Sequence, residues 1–132
     1  MYRFYGSLSE GVPVTLQMPE NLQIDVDEVI RVCREQDIKL LIFSNPCNPT
    51  SLGLGREEVR RLISSVKALV VLDEAYMDFW DQSLLPEFQD YDNLMILRTC
   101  SKAFGGAALR LGFAVASLPL TNALKAVKSP YN

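Results

Sequence analysis

Histidine is missing from this sequence of 132 residues, and its three cysteines, Cys33, Cys47 and Cys100, are widely spaced. Without histidine, neither a histidine general-base triad nor most catalytic zinc sites can form. An odd number of cysteines without a CxxC pair argues against a disulfide framework and a cysteine zinc site, so we expect reduced thiols and no metal. Other side chains must therefore carry any chemistry.

Clusters of basic charge and long apolar runs are missing as well. The chain has 13 basic and 16 acidic residues and a net charge of −3, which predicts no nucleic-acid partner. The longest apolar runs, at 40–43 and 68–72, are too short to cross a bilayer. Met1 is not followed by a secretory signal pattern, so we expect no membrane partner and a cytoplasmic location.

The composition is that of an ordinary globular domain. Hydrophobic residues make up 48% of the chain and charged residues 22%. No repeat, low-complexity tract or linker interrupts the sequence, and its length can bury one core. We therefore expect a single domain over residues 1–132.

Short apolar runs alternate with amphipathic segments along the chain. The apolar runs predict strands at 12–16, 40–43, 68–72, 94–97 and 113–116. Apolar residues at helical spacing predict helices that begin near Asp25, Arg56 and Leu120. Such alternation is typical of the α/β class, and we expect a three-layer α/β/α arrangement whose mostly parallel strands are buried on both faces.

Ligands of parallel α/β sheets bind beyond the carboxyl ends of the strands, which directs attention to the residues after Phe43, Leu72 and Leu97. The first of these ends is followed by two Asn-Pro pairs at 45–49, which leave amide side chains projecting from an irregular loop. Taken alone, this segment is more typical of a rigid turn than of a binding site.

The second strand end is followed by Asp73-Glu74-Ala75-Tyr76. An acid directly after an apolar run should lie at the edge of the interior, where an ionised carboxylate needs a partner. On this feature alone, a structural role as a helix cap or ion pair and a functional role are about equally favoured, and Tyr76 is also compatible with simple packing.

The third strand end leads into Thr99, Ser101, Lys102, two adjacent glycines and Arg110. Hydroxyl groups, open backbone and a guanidinium are the donors that suit a phosphate group. Taken alone, the segment is also typical of a solvated basic loop with an ordinary surface lysine.

The combination of the three strand ends is more specific than any one of them. A lysine can form an imine with an aldehyde, an aspartate can keep a pyridine nitrogen protonated, and hydroxyls with an arginine can hold a phosphate. Pyridoxal 5'-phosphate (PLP) is the cofactor that requires all three groups. A nucleotide-binding α/β domain is less favoured, because no GxGxxG or GxxxxGK[ST] run follows a strand.

Four motifs carry a resemblance that extends over essentially the whole chain. They are NPCNPT at 45–50, DEAYMDF at 73–79, TCSKAF at 99–104 and LRLGF at 109–113. With them the sequence resembles the class I/II aminotransferases of fold-type I, and within that family the histidinol-phosphate aminotransferase branch. The resemblance implies transfer of an amino group between an amino acid, or histidinol phosphate, and a 2-oxo acid, in a homodimer.

The resemblance also implies a role for each matching residue. Lys102 is implied to be the Schiff-base lysine and proton shuttle, and Asp73 the partner of the pyridinium nitrogen. With Tyr76 they form the implied catalytic set. Asn48 and Tyr76 are implied to bind the 3'-oxygen of the ring, and the phosphate is implied to be held by Thr99, Ser101 and Arg110. The strand at 113–116 is implied to run antiparallel.

The sequence departs from the family at Ser51, where a glycine is usual, and in length. We expect the chain to be the central part of the PLP-binding large domain, without the family's N-terminal segment and C-terminal small domain, and therefore inactive alone. Alternatives with the same cofactor anchors are a decarboxylase acting on threonine phosphate, a β-eliminating lyase, and the non-catalytic PLP-binding domain of a transcriptional regulator.

Overall fold

The computed structural model describes residues 2–129. It contains a sheet of four strands, β1 to β4, and four α-helices, α1 to α4. The strands are β1 (Leu40–Ser44), β2 (Leu69–Asp73), β3 (Leu94–Thr99) and β4 (Gly112–Ala116). The helices are α1 (Tyr2–Leu8), α2 (Val26–Glu35), α3 (Arg56–Ser65) and α4 (Leu118–Val127). Short 3-10 helices span Met77–Phe79, Leu85–Asp90 and Ala107–Leu109.

The strands follow one another across the sheet in the order β1-β2-β3-β4. The first three strands are parallel and β4 is antiparallel to β3, which confirms a mostly parallel sheet and the direction implied for the last strand. In the register of the sheet Asp73 pairs with Ser44 on one side and with Leu97 on the other. The carboxyl ends of the three parallel strands therefore lie side by side at one edge.

Apolar side chains cover both faces of the sheet, which gives the three layers expected for an α/β/α fold. On one face, α2 and α3 pack against the sheet through buried residues that include Ile30, Leu62 and Ile63. On the other, Val71 and Met95 pack with Ala116 and with residues of α4 such as Leu120. The loops at the carboxyl edge therefore follow strands whose central residues pack on both faces of the sheet.

The predicted helices near Asp25 and Arg56 are confirmed, and both begin with side-chain hydrogen bonds to the backbone. The side chain of Asp25 accepts hydrogen bonds from the backbone N–H groups of Asp27 and Glu28, at 3.0 and 3.1 Å. At the start of α3, the side chain of Glu58 accepts from the N–H of Gly55 at 3.0 Å. Such bonds satisfy N–H groups that have no partner within a helix.

Three expectations from the sequence differ from the structure. No strand forms at 12–16, where Val12 is 89% exposed, because no neighbouring strand pairs with this segment. The helix α1 was not expected, since its residues have no buried face to create a pattern. The strand β1 is not buried on both faces, because it lies at the edge of the sheet and Leu40 is 53% exposed.

Two further observations concern the cysteines and the length of the helices. Cys33, Cys47 and Cys100 are not joined to one another in the structure. Within residues 2–129, no helix is both long and apolar enough to cross a membrane.

Candidate functional site

The loop after β1 is anchored by a fully buried amide, that of Asn45. Its Nδ2 donates to the carbonyl of Leu54 at 3.0 Å, and its Oδ1 accepts from the N–H of Leu54 at 2.7 Å. Gly53 lies against this pair, where an added Cβ would come within 2.6 Å of both Asn45 and Trp80. The loop is thus closed on itself, and Asn48 is held at its outer end.

Asn48, Tyr76 and Lys102 come together from the loops after β1, β2 and β3. The Nδ2 of Asn48 donates to the hydroxyl of Tyr76 at 2.9 Å. The Nζ of Lys102 lies over the ring of Tyr76, 5.0 Å from its centroid. A cation at this distance from an aromatic face is attracted by the ring. The loops after the three strand ends therefore meet at Tyr76.

Asp73 is the last residue of β2, and both of its carboxylate oxygens accept hydrogen bonds. Oδ1 accepts from the N–H of Ala75 at 3.0 Å, and Oδ2 accepts from the hydroxyl of Tyr2 in α1. Burial of the phenol is the larger cause, and the hydrogen bond to Asp73 the next, of a pKa of Tyr2 that lies well above its usual range. Tyr2 was missed in the sequence, since nothing in the pattern links it to Asp73.

Glu74, the neighbour of Asp73, has a structural role. Its fully buried carboxylate accepts from the N–H of Leu84 at 3.1 Å and from the hydroxyl of Ser83 at 2.6 Å. It also pairs with Arg98 of β3 at 3.0 Å, and Arg98 binds Asp78 as well. Of the two adjacent acids at the end of β2, Glu74 is thus bound within the fold, and Asp73 binds Tyr2.

The segment after β3 holds the groups expected to bind a phosphate. The Oγ1 of Thr99 accepts from the N–H of Ser101 at 3.1 Å, which places two half-buried hydroxyl residues together. Gly105 has a φ of +64°, a left-handed conformation that glycine adopts without strain. Arg110 is exposed, and its Nη1 donates to the carbonyl of Ala107 at 3.1 Å.

An open cavity of about 310 Å³ lies beside the Asn48–Tyr76 pair. It is lined by Pro46, Cys47, Asn48, Ser51, Tyr76, Phe79 and Trp80. Of the predicted site residues, Asn48 and Tyr76 line it, while Lys102 reaches Tyr76 from the opposite loop. An apolar wall with a few convergent polar groups is the usual make-up of a small-molecule site.

Comparison of the sequence with known proteins identifies the family. The sequence model of the family described as "Aminotransferase class I and II" matches residues 6–132. The chain belongs to this aminotransferase family. Histidinol-phosphate aminotransferases from Clostridium novyi (strain NT) and Clostridium kluyveri are 40% and 38% identical to it over the whole chain, which corresponds to 37% and 38% of their lengths.

The solved aminotransferase structures agree in fold. A histidinol-phosphate aminotransferase from Sinorhizobium meliloti, crystallised in complex with pyridoxal-5'-phosphate, superimposes with a TM-score of 0.87 and 24% identity. The superposition covers 97% of this chain and 36% of that one. The chain thus spans little more than a third of the length of the relatives and reproduces that part of their fold.

Proposed function

We propose that the chain is the central part of the PLP-binding large domain of an aminotransferase. The observation that carries the proposal is the contact of Lys102 and Asn48 with the same tyrosine, Tyr76. It brings an amine, an amide and a phenol from three strand ends to one place, next to the strand that ends in Asp73. The family membership of the chain and its similarity to PLP enzymes support the same conclusion.

The polar side chains of the site match the functional groups of PLP. When bound, PLP supplies an aldehyde that an amine can attack and a protonated pyridine ring that accepts electrons from the substrate. Lys102 provides the amine and moves the proton, and Asp73 provides a carboxylate for the ring nitrogen. Asn48 and Tyr76 supply hydrogen bonds for the ring 3'-oxygen, and the phosphate donors are Thr99, Ser101 and Arg110.

The proposed reaction moves an amino group between an amino acid and a 2-oxo acid. Relatives 38–40% identical over the whole chain are named histidinol-phosphate aminotransferases, which favours histidinol phosphate as the amino-group donor or product. Further parts of the proposal are a homodimeric complete protein, a cytoplasmic location, and no nucleic-acid or membrane partner. The net charge of −3 supports the absence of a nucleic-acid partner.

Chemical trapping tests the cofactor and its lysine. The complete protein that carries this chain is mixed with PLP, reduced with borohydride and digested, and the modified peptide is located by mass. We expect the reduced adduct at Lys102, and we expect Lys102→Ala to lose both the adduct and the amino-transfer activity. Lys125→Ala, a change on the exposed side of α4, serves as the control and retains both. Labelling at another lysine would refute the assignment.

Product analysis separates amino transfer from the alternative reactions. Glutamate and a 2-oxo acid are incubated with the loaded protein, and the new amino acid is measured beside carbon dioxide and ammonia. Release of carbon dioxide or ammonia without amino transfer would instead indicate a decarboxylase or a lyase, because the same cofactor anchors serve all three reactions.

A further inference from the structure

Tyr2 is attached to the site by its hydroxyl group rather than by packing. It begins α1, a helix without a buried residue in which Phe4, Tyr5 and Leu8 are largely exposed. Its hydroxyl nevertheless donates to the Oδ2 of Asp73, which is 71 residues away in the sequence. Within residues 2–129, no other hydrogen bond joins α1 to the sheet. The hydroxyl of this half-buried phenol therefore has a specific partner at the site, the carboxylate of Asp73.

The Tyr2 bond completes the fixation of the Asp73 carboxylate. Oδ1 is already held by the N–H of Ala75 at 3.0 Å, a contact about which the carboxylate could still tilt. A second donor on Oδ2 fixes the plane of the group. A carboxylate has about four lone-pair sites, so two of them stay available for another donor. Asp73 therefore remains able to accept the N–H of a pyridinium ring.

We infer that Tyr2 is a positioning residue, whose hydroxyl holds the carboxylate of Asp73 in the orientation that the ring nitrogen of PLP requires. The inference rests on the proposed function, because it gives a role to Asp73 as the partner of that nitrogen. Within residues 2–129, no hydrogen bond joins the Tyr2 side chain to Lys102 or to the residues assigned to the phosphate. Its effect on the reaction passes through Asp73.

The chemistry of a phenol suits this role better than that of a charged donor. Burial and the neighbouring Asp73 carboxylate both raise the pKa of Tyr2, so its hydroxyl keeps its proton and remains a donor across the working pH range. A neutral donor orients Asp73 without cancelling its negative charge. The full charge is then available to keep the pyridine nitrogen protonated.

Removal of the single oxygen atom, by Tyr2→Phe in the complete protein, tests the inference. We expect the dissociation constant of PLP to rise about tenfold, the equivalent of one hydrogen bond to a charged group. Without the Tyr2 hydroxyl, Asp73 holds the proton of the pyridine nitrogen less firmly, so the ring carries less positive charge. The lysine-linked nitrogen then keeps its own proton to higher pH, and the pH at which the cofactor absorbance changes should rise by about one unit.

Two controls separate positioning from general damage. Tyr5→Phe makes the same change in the same helix, at a side chain that is 60% exposed, and we expect both quantities to stay at their original values. In an Asp73→Asn background, Tyr2→Phe should have no further effect on the absorbance titration, because the two residues act as one unit. An effect of equal size in both backgrounds would overturn the inference.

A measurement without cofactor keeps the inference testable if the Tyr2→Phe protein does not fold. The ionisation of Tyr2 is followed by the resonance of its labelled ring carbon in the unsubstituted protein and in Asp73→Asn. We expect the pKa of Tyr2 to fall in Asp73→Asn, because the carboxylate that opposes ionisation is gone. An unchanged pKa would show that the hydroxyl does not bind Asp73.

The outcomes also distinguish this inference from the proposed function. If the unsubstituted protein forms no adduct with PLP at Lys102, both fail. If it forms the adduct, and Tyr2→Phe retains the original affinity and absorbance titration, the positioning role alone is wrong. Loss of affinity with the shifted titration, absent in Tyr5→Phe, supports it.

Discussion

At the scale of single residues, the loop after β1 contains a non-glycine residue in a left-handed conformation. Ser51 has a φ of +58°, a left-handed conformation that favours glycine, and the family usually has glycine at this position. Its N–H donates to the carbonyl of Cys47 at 2.7 Å, so the turn itself is well formed. The serine side chain is therefore accommodated at the cost of backbone strain.

Ser51→Gly should stabilise the chain by about 0.5–1 kcal/mol. A residue with a Cβ in the left-handed conformation is strained by about 1–2 kcal/mol, and glycine removes this strain. Glycine also gives the unfolded chain more conformational freedom, which reduces the net gain in stability. Urea unfolding measures the difference, with Ser51→Ala as the control that keeps the Cβ. If the alanine variant were as stable as the glycine variant, the strain argument would be wrong.

The residues of the site differ in how far the sequence reveals them. The meeting of Lys102, Asn48 and Tyr76 could be anticipated, because each follows an apolar run whose strand ends at the same edge of a parallel sheet. The contact of Tyr2 with Asp73 could not, because it joins a helix without apolar periodicity to a residue 71 positions away. Asp73 and Glu74 are adjacent acids at the end of one apolar run, and only the structure shows that Glu74 is buried with Arg98 while Asp73 binds Tyr2.

At the scale of elements, the segment after β2 is fastened to β3 by charge. Arg98 of β3 binds Glu74 and Asp78, which flank the turn that carries Tyr76. The N–H of Glu74 also donates to the carbonyl of Leu97 at 2.9 Å. Tyr76 is thus presented to Asn48 and Lys102 from a turn that two neighbouring strands hold in place.

Arg98→Leu should destabilise the chain by about 3 kcal/mol. The substitution leaves the buried carboxylate of Glu74 without its compensating charge, which costs far more than the loss of an exposed pair. Arg31→Leu, which removes the exposed pairs with Glu28 and Glu35 in α2, is the matched control and should have a much smaller effect on stability. Urea unfolding compares the two, and equal losses would contradict the special role of Arg98.

Elements were predictable where burial produces a pattern. The strands β2 and β3 and the helices α2 and α3 supply most of the buried residues of the core. The spacing of these apolar residues predicts the four elements from the sequence. The segment at 12–16 adds only Leu16 to the margin of that core, and its weak apolar alternation predicted a strand that does not form. The helix α1 has no buried residue and therefore no apolar pattern that could predict it. The antiparallel direction of β4 came from the family resemblance, because periodicity contains no information on strand direction.

At the scale of the whole molecule, the site is open on the side of β4. Phe104 is 77% exposed, Phe113 is 52% exposed, and Lys102 and Arg110 are exposed as well. Exposed apolar side chains beside Lys102 are typical of a surface that contacts other protein. Nearly two thirds of the length of the relatives lies outside the part that this chain matches.

The 132-residue chain by itself should accept PLP at Lys102 and still show little or no amino transfer. The polar anchors assigned to the cofactor all lie in this chain, but its open edge admits water to Lys102 and weakens every electrostatic contact with a substrate. Borohydride trapping measures the first property, and the amino acid formed from glutamate and a 2-oxo acid measures the second. The complete protein is the control for activity, and Lys102→Ala is the control for trapping. Steady turnover by the isolated chain would show that the described residues already form a closed and sufficient site.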